Sequence, residues 1–373
     1  MAEGLRRWTS PHGSTMSSAA RNWTPEMSNQ ASVPRKHEPG AHEFPALDGL
    51  RAISIMLVLA AHLLPLGPKA LHLNSTAGPM GMSLFFTLSG YLIANTLQST
   101  PILEFIIKRL ARILPLAYLF ILLVFVVFGL NLKALLFHLG FIVNYGTDQM
   151  LPVTAHLWSL CVEVHFYILV TLLVVFGGRR ALLLVWPLCA AITFIRVADG
   201  VYIDVPTHLR MDEILAGACV ATLPAVRFRH PTVSYLTWIL AAAGWAATSH
   251  PDGGWLQYFR PYMAALLLWA TISQPSNRLI TLLGSRGLRY IAATSYALYV
   301  IHPLTANGWW NAGSVWEKYL LKRPLGFVFT LITAHLSTFY WERVWIQTAR
   351  SWTRSMREKK ARAIGRPQNV AGT

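Results

Sequence analysis

ALDGLRAISIMLVLAAHLLP, residues 46–65, is the segment from which the architecture of this chain follows. Its apolar run is long enough to cross a bilayer, yet Asp48 and Arg51 lie near its start and His62 near its end. A helix places Arg51 and His62 about 20° apart on one face and about 16.5 Å apart along its axis. Ionisable groups inside a membrane span mark functional sites, although a snorkelling arginine and a packed histidine are the alternative.

The composition of the 373-residue chain indicates a membrane protein with several spans. Hydrophobic residues make up 54% of the chain and charged residues only 13%, whereas soluble domains contain about 25% charged residues. The net charge of +16 lies in short loops and tails between apolar runs, which argues against nucleic acid as a partner. Cys161, Cys189 and Cys219 lie in apolar segments without metal-ligand spacing and are predicted to be buried.

The apolar runs predict an all-α, polytopic integral membrane protein with about ten transmembrane helices. Arginines concentrate in alternate loops and in the C-terminal tail, so the positive-inside rule places both termini in the cytoplasm. The segment 133–145 is too short to span comfortably and is expected to be re-entrant or to lie at the outer surface. The predicted spans are 46–66, 79–98, 112–130, 156–176, 181–198, 210–225, 233–248, 257–273, 289–308 and 324–346.

Three regions are predicted along the chain. Residues 1–42 are rich in Ser, Pro, Asn and Gly without an apolar period, and are expected to form a disordered cytoplasmic tail. Residues 43–348 form the predicted transmembrane domain, and residues 349–373 a basic cytoplasmic tail. The N-terminal region lacks the layout of a cleavable signal peptide, so the first span is expected to direct insertion into the cell membrane, among its lipids.

The sequence KRLARILP places Arg109 and Arg112 on one helical face at the predicted cytoplasmic start of a span. Paired arginines can clamp phosphates through their planar guanidinium groups. The alternative is that both residues anchor the helix at the inner membrane surface.

The sequence HLWSLCVEVHFY places His156, Ser159 and Glu163 on one helical face. A glutamate inside a membrane helix needs a partner, and His62 at comparable predicted depth is the expected one. A carboxylate beside an imidazole fixes the tautomer of the ring and supports proton abstraction. A structural polar contact between helices is the alternative.

Other polar residues in apolar surroundings are candidates for substrate contacts or for structural roles. Ser89 lies beside Gly90, and such small residues allow a helix or a ligand to approach closely. Arg210 and Asp212 cluster with Glu213, where a salt-bridge cap at the membrane interface is the alternative. The full set of these candidates is Asp48, Ser89, His156, Ser159, Arg210, Asp212, Tyr299 and His302.

The ordered motifs resemble the membrane acyltransferase-3 family. They are DGLRAISIMLVLAAH, FFTLSGYLI, RLARILP, HLWSLCVEVHFY, THLRMDEILAG, SYALYVIHP and WER, and they follow one another through most of the chain. The resemblance implies transfer of an acyl group, usually acetyl from acetyl-CoA, to a hydroxyl. The implied acceptor is a glycan, a glycolipid or a sugar-bearing small molecule such as a macrolide, and no metal is expected.

The resemblance also implies roles for particular residues. Arg51 and His62 match the arginine–histidine pair of the family, Arg109 and Arg112 are expected near the CoA phosphates, and Glu163 matches the family's glutamate. His62 is then expected to activate the acceptor hydroxyl as a general base or to carry the acyl group covalently. The alternative function is a proton-coupled transporter that uses His62 and Glu163 as a relay.

Overall fold

The computed structural model describes residues 44–364 except 130, 225, 275 and 276. In that part of the chain the regular structure is helical throughout, as predicted, and no strand occurs. The predicted disordered tail, 1–42, and the last nine residues lie outside the described residues. The α-helices are α1 Pro45–Leu63, α2 Leu73–Ser99, α3 Ile102–Phe128, α4 Leu132–Leu139, α5 Trp158–Gly177, α6 Val185–Ala198, α7 Asp212–Thr222, α8 Pro231–Ala247, α9 Arg260–Ile272, α10 Arg278–Leu283, α11 Arg286–Ile301, α12 Arg323–Leu336 and α13 Arg343–Ile364.

Five helical segments among the described residues are long and apolar enough to cross a membrane. Several of the later predicted spans coincide with shorter helices, such as α7 with 11 residues and α9 with 13. Helices of that length extend about 16–20 Å, less than the ~30 Å hydrocarbon core. The all-helical fold is confirmed, whereas the number of ten spans is not. The five segments are Pro45–Leu63, Lys69–Ser99, Ile102–Phe128, Ala155–Gly177 and Arg179–Ala198.

Small residues bring α2 and α7 into backbone contact. A Cβ atom added to Gly90 would lie 1.8 Å from the carbonyl oxygen of Ile214, and one added to Gly217 would lie 1.9 Å from that of Thr87. The Thr87 hydroxyl donates a hydrogen bond of 3.2 Å to the Glu213 carbonyl across this contact. The close approach predicted at the small residues of the second span is therefore confirmed, and α7 is the helix that makes it.

The segment 133–145 is too short to cross a membrane, as predicted. It forms the eight-residue α4, about 12 Å long, followed by a 3₁₀ turn at Val143–Tyr145. The α4 helix is capped by the Asn131 side chain, which accepts a 2.7 Å hydrogen bond from the Ala134 amide. Its last turn carries His138, whose side chain is buried.

The helix α13 is tied to the start of α3. Arg357 donates from Nε and Nη2 to the two carboxylate oxygens of Glu104, at 2.7 and 2.9 Å, and Lys108 lies 2.6 Å from the same carboxylate. The predicted boundary at residue 348 between domain and tail falls within α13. A bidentate pair of this kind fixes the orientation of one helix against the other.

Candidate functional site

A small cavity lies where α1, α2, α3, α5 and α11 meet. Its volume of about 20 Å³ is room for roughly one water molecule. We call it the arginine cavity, because three guanidinium groups line it. Its lining residues are Arg51, Phe85, Ser89, Arg109, Arg112, Ile113, Glu163, Tyr167, Ser295 and Tyr296.

The arginine cavity holds more positive than negative charge. Arg109 donates weak hydrogen bonds to the Leu92 carbonyl at 3.4 Å and the Thr96 hydroxyl at 3.3 Å. Within the described part of the chain, the guanidinium groups of Arg51 and Arg112 make neither a hydrogen bond nor an ion pair. Glu163 supplies the one carboxylate among the lining residues, and Asp48 and Glu342 interact electrostatically with Arg51 and Arg112 from outside the lining. Such an arrangement favours binding of an anion.

The carboxylate of Glu163 belongs to this cavity. The Tyr167 hydroxyl, one turn further along α5, donates a 2.5 Å hydrogen bond to Glu163 Oε1. Glu163 is also an electrostatic neighbour of Arg51 and Arg109. Glu163, which the sequence assigned to His62, therefore lies in the cavity with the three arginines.

Three histidine rings form a second group, which we call the histidine cluster: His62, His156 and His302. The ring centroids of His62 and His302 are 5.2 Å apart, and those of His156 and His302 are 5.6 Å apart. The Tyr299 hydroxyl lies 2.6 Å from the Ser159 hydroxyl and 2.7 Å from the His156 carbonyl oxygen, to which it donates. Four candidates from two separate helical segments, His156 and Ser159 from one and Tyr299 and His302 from the other, therefore come together, and His302 contacts His62.

The tautomer of His62 is fixed by the backbone. Its Nδ1 lies 2.9 Å from the Val58 carbonyl oxygen, and His302 Nδ1 lies 2.8 Å from that of Tyr299. A carbonyl oxygen only accepts hydrogen bonds, so in each neutral ring Nδ1 carries the proton and Nε2 keeps its lone pair. His302 is buried while His62 is exposed, so the basic nitrogen of His62 is the accessible one.

The predicted contact between His62 and Glu163 is wrong. Within the described residues no hydrogen bond or ion pair joins them, and Glu163 binds Tyr167 instead. His156, not Glu163, lies next to His302, the ring that contacts His62. Glu163 comes seven residues after His156 on the same helical segment, which corresponds to about 10.5 Å of helix. The Val58 carbonyl performs the orienting role that the sequence assigned to Glu163.

The arginine cavity and the histidine cluster lie next to each other along the same three helices. The α1 helix carries Arg51 and His62, while Ser159 and Glu163 lie one turn apart on α5. The Phe85 ring lines the cavity and stacks on Tyr299 of the cluster, with centroids 6.1 Å apart and planes 10° apart. Phe85 and Tyr299 therefore connect the positively charged cavity with the histidine cluster.

Arg210, Asp212 and Glu213 belong to a buried ion network. Arg210 Nη2 lies 3.2 Å from Glu213 Oε2, and Arg260 Nε donates to Glu213 Oε1 at 2.8 Å. Arg196 pairs with Asp212 and also donates to the Tyr202 carbonyl. All five charged side chains are 0–1% exposed: Arg196, Arg210, Asp212, Glu213 and Arg260.

Sequence reasoning missed Arg196 and Arg260 in this network. Each lies in or beside an apolar run, which is the signal that would have singled it out. It also missed Phe85 and Tyr296, because aromatic residues in apolar runs carry no distinguishing pattern. Asp48 interacts electrostatically with Arg51 in the first turns of α1 but does not line the cavity.

The three cysteines are buried and free, as predicted. Within the described residues, no group of three or more His, Cys, Asp or Glu side chains is arranged to hold a metal ion.

Residues 44–338 match the acyltransferase-3 family, described as an acyltransferase domain. The chain belongs to this family. The match begins just before α1 and includes all residues of the arginine cavity and the histidine cluster. The resemblance seen in the ordered sequence motifs is therefore confirmed.

Curated relatives in this family include O-acetyltransferases of bacteria. Peptidoglycan O-acetyltransferase OatA of Listeria monocytogenes is 27% identical over 69% of this chain and 48% of its own length. Putative peptidoglycan O-acetyltransferase YrhL of Bacillus subtilis is 27% identical over 71% and 49%, respectively. A putative O-acetyltransferase of Staphylococcus aureus is 28% identical over 69% and 50%. The chain spans about half the length of the curated relatives it matches, and no solved structure matches it.

Proposed function

We propose that this protein is an integral-membrane O-acyltransferase that moves an acetyl group from acetyl-CoA to a hydroxyl of a glycan, a glycolipid or a sugar-bearing small molecule. The observation that carries the proposal is a cavity with two arginines that form no ion pair among the described residues, near an accessible imidazole whose Nε2 keeps its lone pair. Membership of an acyltransferase family supports acyl transfer over proton-coupled transport. The relatives named as peptidoglycan O-acetyltransferases support a glycan acceptor.

The arginine cavity is the proposed binding site for the phosphates of the donor. Arg51 and Arg112 have no ion-pair partner among the described residues, so their guanidinium groups are available to phosphate oxygens. The cavity has room for about one water molecule, so the helices must separate to admit a CoA phosphate. The separation of about 16.5 Å between Arg51 and His62 along α1 is of the order of a pantetheine arm.

The proposed reaction takes place at the histidine cluster. His62 Nε2 removes the proton of the acceptor hydroxyl while the hydroxyl oxygen forms a bond to the thioester carbonyl carbon. The C–S bond then breaks, and the leaving CoA thiolate takes the proton from the imidazolium. The Val58 carbonyl accepts from Nδ1 throughout and stabilises the positive charge that the ring gains. The acyl group is thereby transferred without a change in the number of protons on the enzyme.

The test is turnover of His62→Ala. Purified protein in lipid nanodiscs receives labelled acetyl-CoA together with peptidoglycan fragments, a glycolipid or a macrolide, and the acylated product is measured. Loss of a general base lowers kcat by about 10²–10⁴-fold. The matched control is His208→Ala, which removes an exposed histidine and should retain full turnover.

Two results would contradict the proposal. Near-normal turnover of folded His62→Ala would remove the proposed base. Proton-coupled flux of a substrate without any acylated product would instead support the transporter.

The proposed orientation places the arginine cavity toward the cytoplasm, where acetyl-CoA is found, with both termini on that side. The loop that contains Arg179 and Arg180 is then cytoplasmic, and the segment around Lys318 lies outside. Reporter fusions after Arg180 and after Lys318 should report opposite sides of the cell membrane. A fusion after Arg180 that reports the outside would reverse the orientation and separate the cavity from its donor.

A further inference from the structure

Within the described residues, His156 is buried, and neither of its ring nitrogens makes a hydrogen bond of good geometry. The residue is 9% exposed. The Val300 carbonyl is a backbone hydrogen-bond acceptor beside the ring, at weaker geometry. A neutral imidazole has one N–H donor and one acceptor nitrogen, so the acceptor nitrogen of His156 is left without a partner among the described residues.

The place of His156 in the fold relates this nitrogen to the reaction. Its ring lies 5.6 Å from His302 and 5.3 Å from Tyr299, centroid to centroid, and His302 in turn contacts His62. A group that binds His156 therefore lies beside the hydroxyl that His62 is proposed to activate.

A second buried imidazole nitrogen points to the same chemistry. His138 Nδ1 lies 2.7 Å from the Ala134 carbonyl, so its Nε2 is an acceptor, and this nitrogen has no partner among the described residues. His138 is close enough to His156 to interact with it electrostatically. The unpartnered nitrogens of His156 and His138 are both acceptors, so a group that binds either of them must donate a hydrogen bond, as a hydroxyl does.

We propose that His156 binds a second hydroxyl of the acceptor, close to the one that receives the acyl group, so that the enzyme selects sugars that carry both hydroxyls. The inference rests on the proposed function, since it specifies the acceptor of that same site. The hydroxyl donates to the acceptor nitrogen of His156, and the ring is no longer left unsatisfied. His156 is then a residue that determines specificity, while His62 performs the chemistry.

The test compares acceptors that differ by one hydroxyl. Methyl N-acetyl-β-D-glucosaminide and its 3-deoxy, 4-deoxy and 6-deoxy forms receive acetyl from labelled acetyl-CoA, with wild type, His156→Leu, His156→Gln and the control His208→Leu. One deoxy form lacks the hydroxyl that binds His156 but keeps the reacting hydroxyl. Wild type should acetylate this form with a kcat/KM about 5–150-fold lower than that for the parent sugar. His156→Leu should abolish that preference by losing activity on the parent alone. His156→Gln, which keeps a donor and an acceptor, should restore part of the preference.

The ratio between two acceptors is measured within each variant, so a partial loss of folded protein leaves it unchanged. Equal acetylation of the parent and all reactive deoxy forms by wild type would overturn the inference, as would a preference that persists in His156→Leu. Both of those results leave the proposed acyl transfer intact. Transfer of acetyl to a macrolide but to none of these sugars would also overturn the inference, whereas absence of transfer to any acceptor would overturn the proposed function itself.

Discussion

Two clusters of three arginines lie inside the helical protein, and they differ in how their charges are matched. In the ion network, each of Arg196, Arg210 and Arg260 has a carboxylate partner, from Asp212 or Glu213. In the arginine cavity, Arg51 and Arg112 form no ion pair within the described part of the chain, and Glu163, Asp48 and Glu342 act on them only from a greater distance. The same residue type therefore occurs once in a paired, closed arrangement and once in an unpaired arrangement beside a cavity.

The difference separates a structural role from a binding role. Burying a charge costs several kcal/mol unless it is paired and hydrogen-bonded, so the ion network is held together by its own partners. The arginine cavity keeps its positive charges without such partners, and a bound anion would compensate them. Substitutions in the two clusters should consequently affect different properties of the protein.

The largest expected effect is a loss of stability from Glu213→Gln. Glu213 pairs with both Arg210 and Arg260, and its removal leaves two buried guanidinium groups without that carboxylate. Breaking a buried ion pair by removing one partner costs about 3–5 kcal/mol. The midpoint of thermal unfolding in nanodiscs and the yield of folded protein should both fall.

The control for this substitution is Asp148→Asn, since Asp148 pairs with Lys133 and both side chains are exposed. Exposed pairs contribute little, so its unfolding midpoint should stay close to that of wild type. Equal stability of Glu213→Gln and Asp148→Asn would remove the structural role assigned to the ion network.

The second expected effect is a loss of donor affinity from Arg112→Ala without a loss of stability. A charge-assisted hydrogen bond contributes about 1.5–3 kcal/mol, so the KM for acetyl-CoA should rise about 10–150-fold. The KM for the acceptor should change little. The protein without donor should be as stable as wild type or more so, because a charge that forms no ion pair is removed. Arg112→Lys should restore donor affinity only in part, since lysine lacks the planar fork.

Arg179→Ala removes an exposed arginine and serves as the control, with donor KM and stability expected to match wild type. If the KM for acetyl-CoA is unchanged in Arg112→Ala, Arg112 does not bind the donor, and the alternative role as a membrane anchor is supported. A drop in stability as large as that of Glu213→Gln would mean that both clusters are structural.

The sequence predicted the helical class and the residue types of the site better than the pairing between helices. The spacing within α1, α3 and α5 correctly placed Arg51 and His62, Arg109 and Arg112, and Ser159 and Glu163, because helical periodicity is a local property. The sequence could not show which turn of one helix faces which turn of another. For that reason Glu163 was assigned to His62, although it lies about 10.5 Å of helix beyond His156.

The same limit explains the two clusters of arginines. Arg210 was recognised as part of a charged group, but Arg196 and Arg260 come from other helices and join it only through packing. Whether an arginine is paired depends on such contacts, so paired and unpaired arginines look alike in the sequence. The hydrogen bonding of the His156 ring likewise cannot be predicted from the sequence, because it depends on how the segment before α5 packs against α11.

The smallest expected effect tests the corrected place of Glu163 through a double-mutant cycle with His62. Glu163 lies in the arginine cavity and binds Tyr167, so Glu163→Gln should alter kcat/KM for acetyl-CoA without changing the dependence of kcat on pH. The losses in His62→Ala and Glu163→Gln should then multiply in the double variant, with a coupling energy within about 0.5 kcal/mol, as for residues that do not touch. Tyr167→Phe removes the other half of the hydrogen bond at Glu163 and provides the matched comparison, because it should show coupling to Glu163→Gln. If the double variant of His62 and Glu163 loses little more activity than His62→Ala alone, the two residues act as one unit. The carboxylate would then belong to the catalytic base, and the contrast between a binding cavity and a separate catalytic cluster would not hold.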